Sequence, residues 1–514
     1  MIDPLAARTI MGQDDPTLKQ DGADAEAVIQ DAVTDVGVLD MMANNLGLVA
    51  TFVAAMYITA SLCAVREVMN SRTSQGSVAW LLSLFFLPYL TVPLYFVFGW
   101  KSFSDYAKIQ TTLGRTERAR RADELGLTDH EETRDWPVLT RVAGVPFLAG
   151  NTAELLIDGT ETFDAVKDAI ARAESVIFFQ FFAIHEDALG REMADALIKR
   201  AKDGIKVYFL YDDVGSHSLS RDYIKKLRDA GLEVCGFNEN HKFLKLLGPM
   251  RLNYRNHRKL VVTDFREAYV GGHNVADQYV GRDKWFGRWR DTHVKVEGPA
   301  AVACALSFVE DWLWASGERI ELPRVSEIPM PGDESVLVMP TGPADKLEEC
   351  AIAFVEAAAR AKERLWITTP YLVPSLDVQT ALAAAAMRGV DVRILLPEKR
   401  DHWTVWLASH AYEDTLVQRG VKVYRYTDGF LHQKVTLLDN DLVSIGTVNF
   451  DNRSFQINFE LTLWFTHERM ITNVESMLEE DFKNSRLTWP DAFRSRSYIF
   501  RVLAQGARLL SPIL

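Results

Sequence analysis

Two uncharged apolar runs stand near the start of the chain, LGLVATFVAAMYITASLCAV at 46–65 and VAWLLSLFFLPYLTVPLYFVF at 78–98. A helix of about 20 apolar residues crosses a hydrocarbon core of about 30 Å, so the pair predicts a two-helix transmembrane hairpin over 46–98. Beyond residue 150 the pattern changes. Short apolar runs alternate with amphipathic stretches: IFFQFFAI (177–184) and VYFLYDD (207–213) read as buried strands, with a helical stretch around 191–203 between them. This alternation predicts an α/β class.

The alternation is then repeated. AIARAESVIFFQFF (169–182) parallels AAARAKERLWITTPY (357–371), ALIKRAKDGIKVYFLYD (196–212) parallels ALAAAAMRGVDVRILLP (381–397), and LRDAGLEVCGF (227–237) parallels LVQRGVKVYRY (416–426). A shared order of elements indicates an internal duplication. The expected organisation is a tail at 1–45, the hairpin at 46–98, a linker at 99–145, a first domain at 146–325, a second at 335–492 and a terminal segment at 493–514. The Pro-rich stretch PRVSEIPMPGDESV (323–336) makes the junction between the halves.

Charge narrows the function. The 514 residues carry 57 Lys and Arg against 70 Asp and Glu, a net −13. A general nucleic-acid binder is disfavoured, because phosphate backbones call for a basic surface. Cys63, Cys235, Cys304 and Cys350 are scattered, with no C-x-x-C pair to suggest a disulfide framework or a zinc site. The first 45 residues hold nine acids and two bases and read as a mobile tail. The loop between the spans carries Arg66 and Arg72, while Lys101, Lys108, Arg115, Arg118, Arg120 and Arg121 follow the second span. The excess after the second span places both ends in the cytoplasm and the loop outside. Two further segments mix bases with apolar residues and contain no acid: 241–259, with six Lys and Arg, and 493–514, with four Arg. Both suit an anionic membrane surface. For the first, a solvated loop is the alternative, and for the second, docking on the catalytic domains.

The candidate chemistry lies in a repeated pattern, H-x-K-x4-D. It occurs as His257, Lys259 and Asp264 in RNHRKLVVTD, and as His432, Lys434 and Asp439 in LHQKVTLLD. His257 to His432, Asp264 to Asp439 and Asn274 to Asn449 are each 175 positions apart. Duplicated halves can face one another and bring two His and two Lys to one cleft. Two ammonium groups neutralise a phosphodiester and the charge that grows in its transition state. One imidazole can attack phosphorus while the other protonates the leaving alkoxide. This chemistry needs no metal or other cofactor, and no carboxylate cluster suggests one.

Each motif continues as D-x6-G-(G/T)-x-N, in VGGHN (270–274) and IGTVN (445–449). In these motifs the chain resembles the phospholipase D superfamily. In its double span, WRDTHVKVEGPA (289–300), NRSFQINFE (452–460) and the ending LLSPIL (509–514), it is similar to the bacterial cardiolipin synthases. The resemblance covers 46–514. It implies two phospholipase D-like α/β/α domains sharing one cleft behind the hairpin, in a bacterial inner membrane. It implies a phosphatidyl transfer from one phosphatidylglycerol to another, with His257 as nucleophile and His432 as general acid and then base. Lys259, Lys434, Asn274 and Asn449 are expected to bind phosphate oxygens. Asp264 and Asp439 complete the motif and are more often structural than catalytic in the superfamily. Each histidine needs an acidic partner to fix its tautomer. The expected partners lie downstream in the same half, Asp291 for His257 and Glu460 for His432. Gly272 and Thr447 break the symmetry: a hydroxyl for the phosphate at that position exists only in the second half.

Other readings share these residues. A phospholipase D, or a phosphatidyltransferase with another alcohol acceptor, uses the same chemistry. A nuclease of the superfamily is disfavoured by the spans and the acidic charge. An inactive membrane scaffold is disfavoured by the intact His257, Lys259, His432 and Lys434. Acyl preference and oligomeric state are not legible.

Overall fold

The strands Leu148–Ile157 and Glu334–Thr341 pair antiparallel at the middle of one mixed sheet of fifteen strands. Outward from Leu148–Ile157 come Thr292–Glu297, Glu267–Gly271, Leu260–Thr263, Val176–Phe181, Lys206–Tyr211 and Glu233–Gly236. Outward from Glu334–Thr341 come Glu460–Phe465, Leu442–Gly446, Val435–Leu438, Arg364–Thr368, Asp391–Pro397 and Lys422–Tyr426, with Ser485–Leu487 added at the edge. The order and the strand directions match on the two sides. Each half is antiparallel up to the strand Val176–Phe181 or Arg364–Thr368 and parallel for the two strands beyond it, and the added edge strand Ser485–Leu487 pairs antiparallel. The duplication read from the sequence is thus visible as a doubled sheet order. The computed structural model describes residues 46–70, 74–99, 135–238, 254–345 and 348–513.

Val176–Phe181 shows why these strands lack polar alternation. All six residues are buried. Phe178 enters one core with Phe308 and Trp312 of the helix Pro299–Ser316. Ile177 and Phe179 enter the other core, with Phe163 of Asp158–Arg172 and Met193 and Leu197 of Ala188–Lys202. Side chains alternate across a strand, so a sheet covered on both faces needs apolar residues at every position. The expected strands at 177–184 and 207–213 and the helix at 191–203 are found as Val176–Phe181, Lys206–Tyr211 and Ala188–Lys202.

The chain divides into two units, Met1–Lys101 and Ser102–Leu514. In the first, the helix Leu46–Met69 is long and apolar enough to cross a membrane, and it extends past the expected end at 65. The second expected span, 78–98, is not one helix. It consists of Ser74–Phe86, Pro88–Leu94 and a π-helical turn Tyr95–Gly99. Pro88 has no N–H to continue the ladder and disfavours helical geometry at the residue before it, and Leu87 accordingly takes φ −133°, ψ 53°. Glu67 is fully buried within this unit and accepts hydrogen bonds from Ser77 Oγ at 2.7 Å and Tyr95 Oη at 3.1 Å. The tail 1–45, Arg72, the basic residues Lys101–Arg121 and the basic segment 241–253 lie outside the described residues.

Candidate active site

Two short backbone ladders bring the motifs together. Phe430–Leu431, just before His432, pairs in parallel with Trp289–Arg290, just before Asp291. Asn256, just before His257, forms a parallel bridge with Phe459, just before Glu460. The backbone N–H of His432 donates to Arg290 O at 2.8 Å, and that of His257 to Phe459 O at 2.9 Å. Each histidine segment is therefore laid beside the acidic segment of the other half.

The side chains follow the backbone. His257 Nδ1 lies 2.9 Å from Glu460 Oε2, and His432 Nδ1 lies 2.7 Å from Asp291 Oδ2. This corrects the expected pairing: Asp291 serves His432 and Glu460 serves His257, each across the boundary between halves. With Nδ1 facing a carboxylate, the reactive nitrogen of each ring is Nε2. Both histidines and both carboxylates are buried.

Residues two apart in an extended segment share a face. Lys259 Nζ donates to His257 O at 2.7 Å and sits 5.4 Å from the ring centre of Phe182. Lys434 Nζ contacts His432 Nδ1 at 2.8 Å and the backbone carbonyl of His432. The intervening Arg258 and Gln433 point the other way. Arg258 donates to Asp311 Oδ1 at 2.8 Å and to Glu460 O at 3.0 Å. Gln433 donates to Asp481 Oδ2 at 2.8 Å and accepts from Thr292 Oγ1 at 2.8 Å. Arg290 completes this second network, gripping Asp481 with Nε at 2.7 Å and Nη2 at 2.8 Å and donating to Asp291 O at 2.8 Å. The backbone carbonyl of each orienting acid is thus held by a buried arginine, and both arginines come from the first half. Arg290, in the WRD stretch, is the sequence signal for this network.

The cluster is electrostatically tight. Burial pushes His257 down to about 4 against the pull of Glu460, with Lys259 and Lys434 adding to the fall. Burial and then the same two lysines hold His432 well below the ordinary range. Burial also lowers Lys434 to about 8, although Asp291 and Glu460 oppose it, and holds Lys259 well below the ordinary range. Burial raises Glu460, but His257, Lys259 and a hydrogen bond from Thr447 overcome it and keep the carboxylate low. Two histidines, two lysines and two carboxylates share one buried cluster, in which an arriving anion would favour the protonated forms of the bases.

The remaining candidates divide. Asp264 accepts from the backbone N–H of Glu174, Ser175 and Val176 at 2.7–3.0 Å, and Asp439 from those of Lys362, Glu363 and Arg364 at 2.8–2.9 Å. Both stand in left-handed turns, with φ 53° and 46°. Their carboxylates are committed to strand starts, an architectural placement beside the expected grouping of Asp264 and Asp439 with the catalytic residues. Asn274 is also engaged, accepting from Ala183 N at 3.1 Å and donating to Tyr279 Oη at 2.9 Å. The equivalent Asn449 has a buried Oδ1 with no hydrogen bond. Thr447 Oγ1 donates to Glu460 Oε2 at 2.5 Å, so its hydroxyl supports the acid. At Gly272 a Cβ would meet Asp291 Oδ1 at 2.0 Å, so the space a side chain takes in one half is taken by the orienting carboxylate in the other.

Comparison with known proteins identifies the family. The family model described as "Cardiolipin synthase, PLD-like domain" matches residues 166–297 and 354–482, and one described as "Phospholipase_D-nuclease N-terminal" matches 55–100. Cardiolipin synthase A of Pseudomonas syringae is 41% identical over 462 residues, spanning 88% of this chain and 95% of that protein. Cardiolipin synthase A of Pseudomonas fluorescens is 41% identical over 480 residues, spanning 91% and 98%. Phosphatidylserine synthase of Haemophilus influenzae superposes with a TM-score of 0.57 at 15% identity, over 74% of this chain and 99% of that one, a likeness of fold.

Proposed function

The chain belongs to the family of phospholipase D-like cardiolipin synthases, and we propose that it moves a phosphatidyl group from one phosphatidylglycerol to another, giving cardiolipin and glycerol. The observation that carries the mechanism is the crossed pairing of His257 with Glu460 and His432 with Asp291 beside two lysines. The phosphodiester brings a negative charge beside these buried bases. It favours the cationic forms of Lys259 and Lys434, and its charge offsets the lysine fields that lower His432.

His257 Nε2 attacks phosphorus, a P–N bond forms, and the P–O bond to the glycerol headgroup breaks. His432 gives its proton to the departing glycerol oxygen. A hydroxyl of the second phosphatidylglycerol then loses its proton to His432 and attacks phosphorus. The new P–O bond forms as the P–N bond breaks, and His257 leaves neutral. Glu460 balances the positive charge on His257 while the phosphohistidine exists, and Asn449 Oδ1 and Nδ2 supply further polar contacts to the headgroup. The choice of His257 for the attack follows the family pattern.

The helix Leu46–Met69 and the broken apolar segment after it are read as a multi-pass anchor in a bacterial inner membrane, with the catalytic halves on the cytoplasmic side. The test of function is incubation of the purified full chain with headgroup-labelled and acyl-labelled phosphatidylglycerol. Cardiolipin and free glycerol in equal amounts support the reading. Phosphatidic acid as the main product would assign a hydrolase instead.

A further inference from the structure

The helix Tyr498–Arg508 carries its apolar residues on the wrong side for a body dissolved in water. Ala504 and Ala507 are buried, and Phe500 packs against Trp406 and His410 of the helix Trp403–Val417 at ring distances of 5.9 and 5.3 Å. Just after the helix, Ser511 Oγ lies 2.7 Å from Tyr412 Oη. That face is the docked one. Tyr498, Ile499, Val502, Leu503, Leu509 and Leu510 occupy the opposite face and are exposed, with Leu509 at 82% and Tyr498 at 74%. Docking on the catalytic halves therefore accounts for one side of the terminal segment and leaves an apolar stripe uncovered.

Charge says what covers it. Residues 493–514 contain Arg494, Arg496, Arg501 and Arg508 and no acid, in a chain of net charge −13. A helix with an apolar outer face flanked by arginines fits the headgroup boundary of an anionic bilayer. The patch also continues to the site. Trp406 is followed by Trp403 at 5.9 Å, which is 57% exposed and stacked under Arg400 at 3.6 Å. Asp401 and His402, between Arg400 and Trp403, lie close enough for their charges to act on Lys434 and His432. Lys399 Nζ donates to the carbonyls of Trp285 and Phe286 at 3.2 and 2.9 Å, tying a loop of the first half to this edge. Trp285 is 65% exposed, while Phe286 packs on Trp289 at 5.1 Å, whose ring lies 5.2 Å from that of His432. Exposed tryptophans beside cations are characteristic of the membrane–water boundary.

We propose that the outer face of Tyr498–Arg508, with Trp403 and Trp285, rests in the surface of an anionic bilayer and seats the rim of the catalytic cleft where phosphatidylglycerol headgroups lie. The choice of a bilayer as occupant rests on the lipid-synthase reading. Membrane crossing by the N-terminal hairpin does not require it, since an anchored body can remain off the surface.

The test is made on the full chain reconstituted into vesicles, with a nitroxide at Leu503→Cys or Ile499→Cys and, as a control, at Lys225→Cys, an exposed site on the helix Arg221–Asp229. The native cysteines are buried and compete little for the label. In phosphatidylglycerol vesicles, labels at 499 and 503 are expected to be open to oxygen and shielded from an aqueous nickel chelate, and the label at 225 the reverse. In phosphatidylcholine vesicles the first two are expected to move outward. Nickel access at 503 equal to that at 225 overturns the proposal. So does shielding from both reagents, which means cover by another part of the chain, or dipolar broadening at 503, which means a second copy. In parallel, Ile499→Glu with Leu503→Glu should lower turnover on vesicles by about tenfold or more, while leaving turnover in mixed detergent micelles within about twofold. An equal loss in both media counts against docking. The depth measurement needs no turnover, so the absence of cardiolipin from the wild-type chain would strike the assigned reaction and leave this result readable.

Discussion

Glu460 lies 2.9 Å from the Nδ1 of His257 across 203 residues of chain. Asp291 stands much nearer in sequence but faces His432 at 2.7 Å. A half with its own histidine and its own acid therefore holds no oriented histidine. Both are completed only when the two halves share the central strands Leu148–Ile157 and Glu334–Thr341.

The crossed pairing predicts which half-reaction each acid serves. Glu460→Gln should slow formation of the covalent phosphatidyl-enzyme most, and His257→Ala should abolish it. Asp291→Asn should still form it, slowly, and so should His432→Ala. Loss of the tautomer-fixing carboxylate is expected to lower turnover by about 10³–10⁴-fold in each case. Single-turnover trapping with labelled phosphatidylglycerol reads the difference. An adduct on the Glu460 variant and none on the Asp291 variant would reverse the assignment.

Residues spaced 175 apart made the duplication legible, and the doubled sheet order followed from it. The crossing was not legible. Two symmetric halves offer each histidine an acid from either side, and sequence distance carries no information about which is used when the strands meet at a shared centre. The ladder between Phe430–Leu431 and Trp289–Arg290 decides it, and short pairings between distant segments leave no periodic trace. Hydropathy also found the second apolar segment but not its break at Leu87, although Pro88 was in view, because mean hydropathy is blind to backbone geometry.

A pH dependence follows from the lysines. Lys434 is lowered to about 8, chiefly by burial. It must carry its proton to meet the phosphodiester, so kcat/KM should decline as pH rises through that value, when the free enzyme loses the cation. His257 is lowered to about 4 and is already neutral, so no rise between pH 5 and 7 is expected from it. Lys434→Arg should remove the part of that decline owed to Lys434 in whatever activity remains, since guanidinium stays protonated, and leave the part set by Lys259, which burial also lowers. An alkaline limb unchanged in that variant would assign the decline to another group.

Asp264 and Asp439 are expected to act on stability rather than on chemistry. Each carboxylate collects three backbone N–H groups where a strand begins. Asp264→Asn keeps a residue tolerant of the left-handed turn but weakens charge-assisted bonds, at a cost of about 1.5–3 kcal/mol. Thermal unfolding should show the loss, while kcat measured well below the transition stays within about threefold of wild type, on the order of 0.6 kcal/mol. A fall of kcat by orders of magnitude in a folded variant would return Asp264 to the site.

Gly272 gives the sharpest separation between the halves. Its partner by duplication, Thr447, is a side chain that donates to Glu460 at 2.5 Å. A methyl group at Gly272 would instead lie 2.0 Å from Asp291 Oδ1 and 2.6 Å from its Cγ, well inside contact distance. Asp291 cannot retreat freely, because Oδ1 accepts from Thr292 N at 2.8 Å and the backbone carbonyl is held by Arg290. The carboxylate must rotate away from His432. Gly272→Ala should therefore reproduce Asp291→Asn, with slow adduct formation and turnover lower by about 10³-fold or more. Thr447→Val should be milder: it removes one donor from Glu460 without displacing it, a loss of about 1–3 kcal/mol in transition-state stabilisation, or roughly 5–150-fold. Combining Gly272→Ala with Asp291→Asn should add little to either, since both act through the same ring. Full multiplication of the two effects would show that Gly272 matters for some reason other than the space it leaves to Asp291.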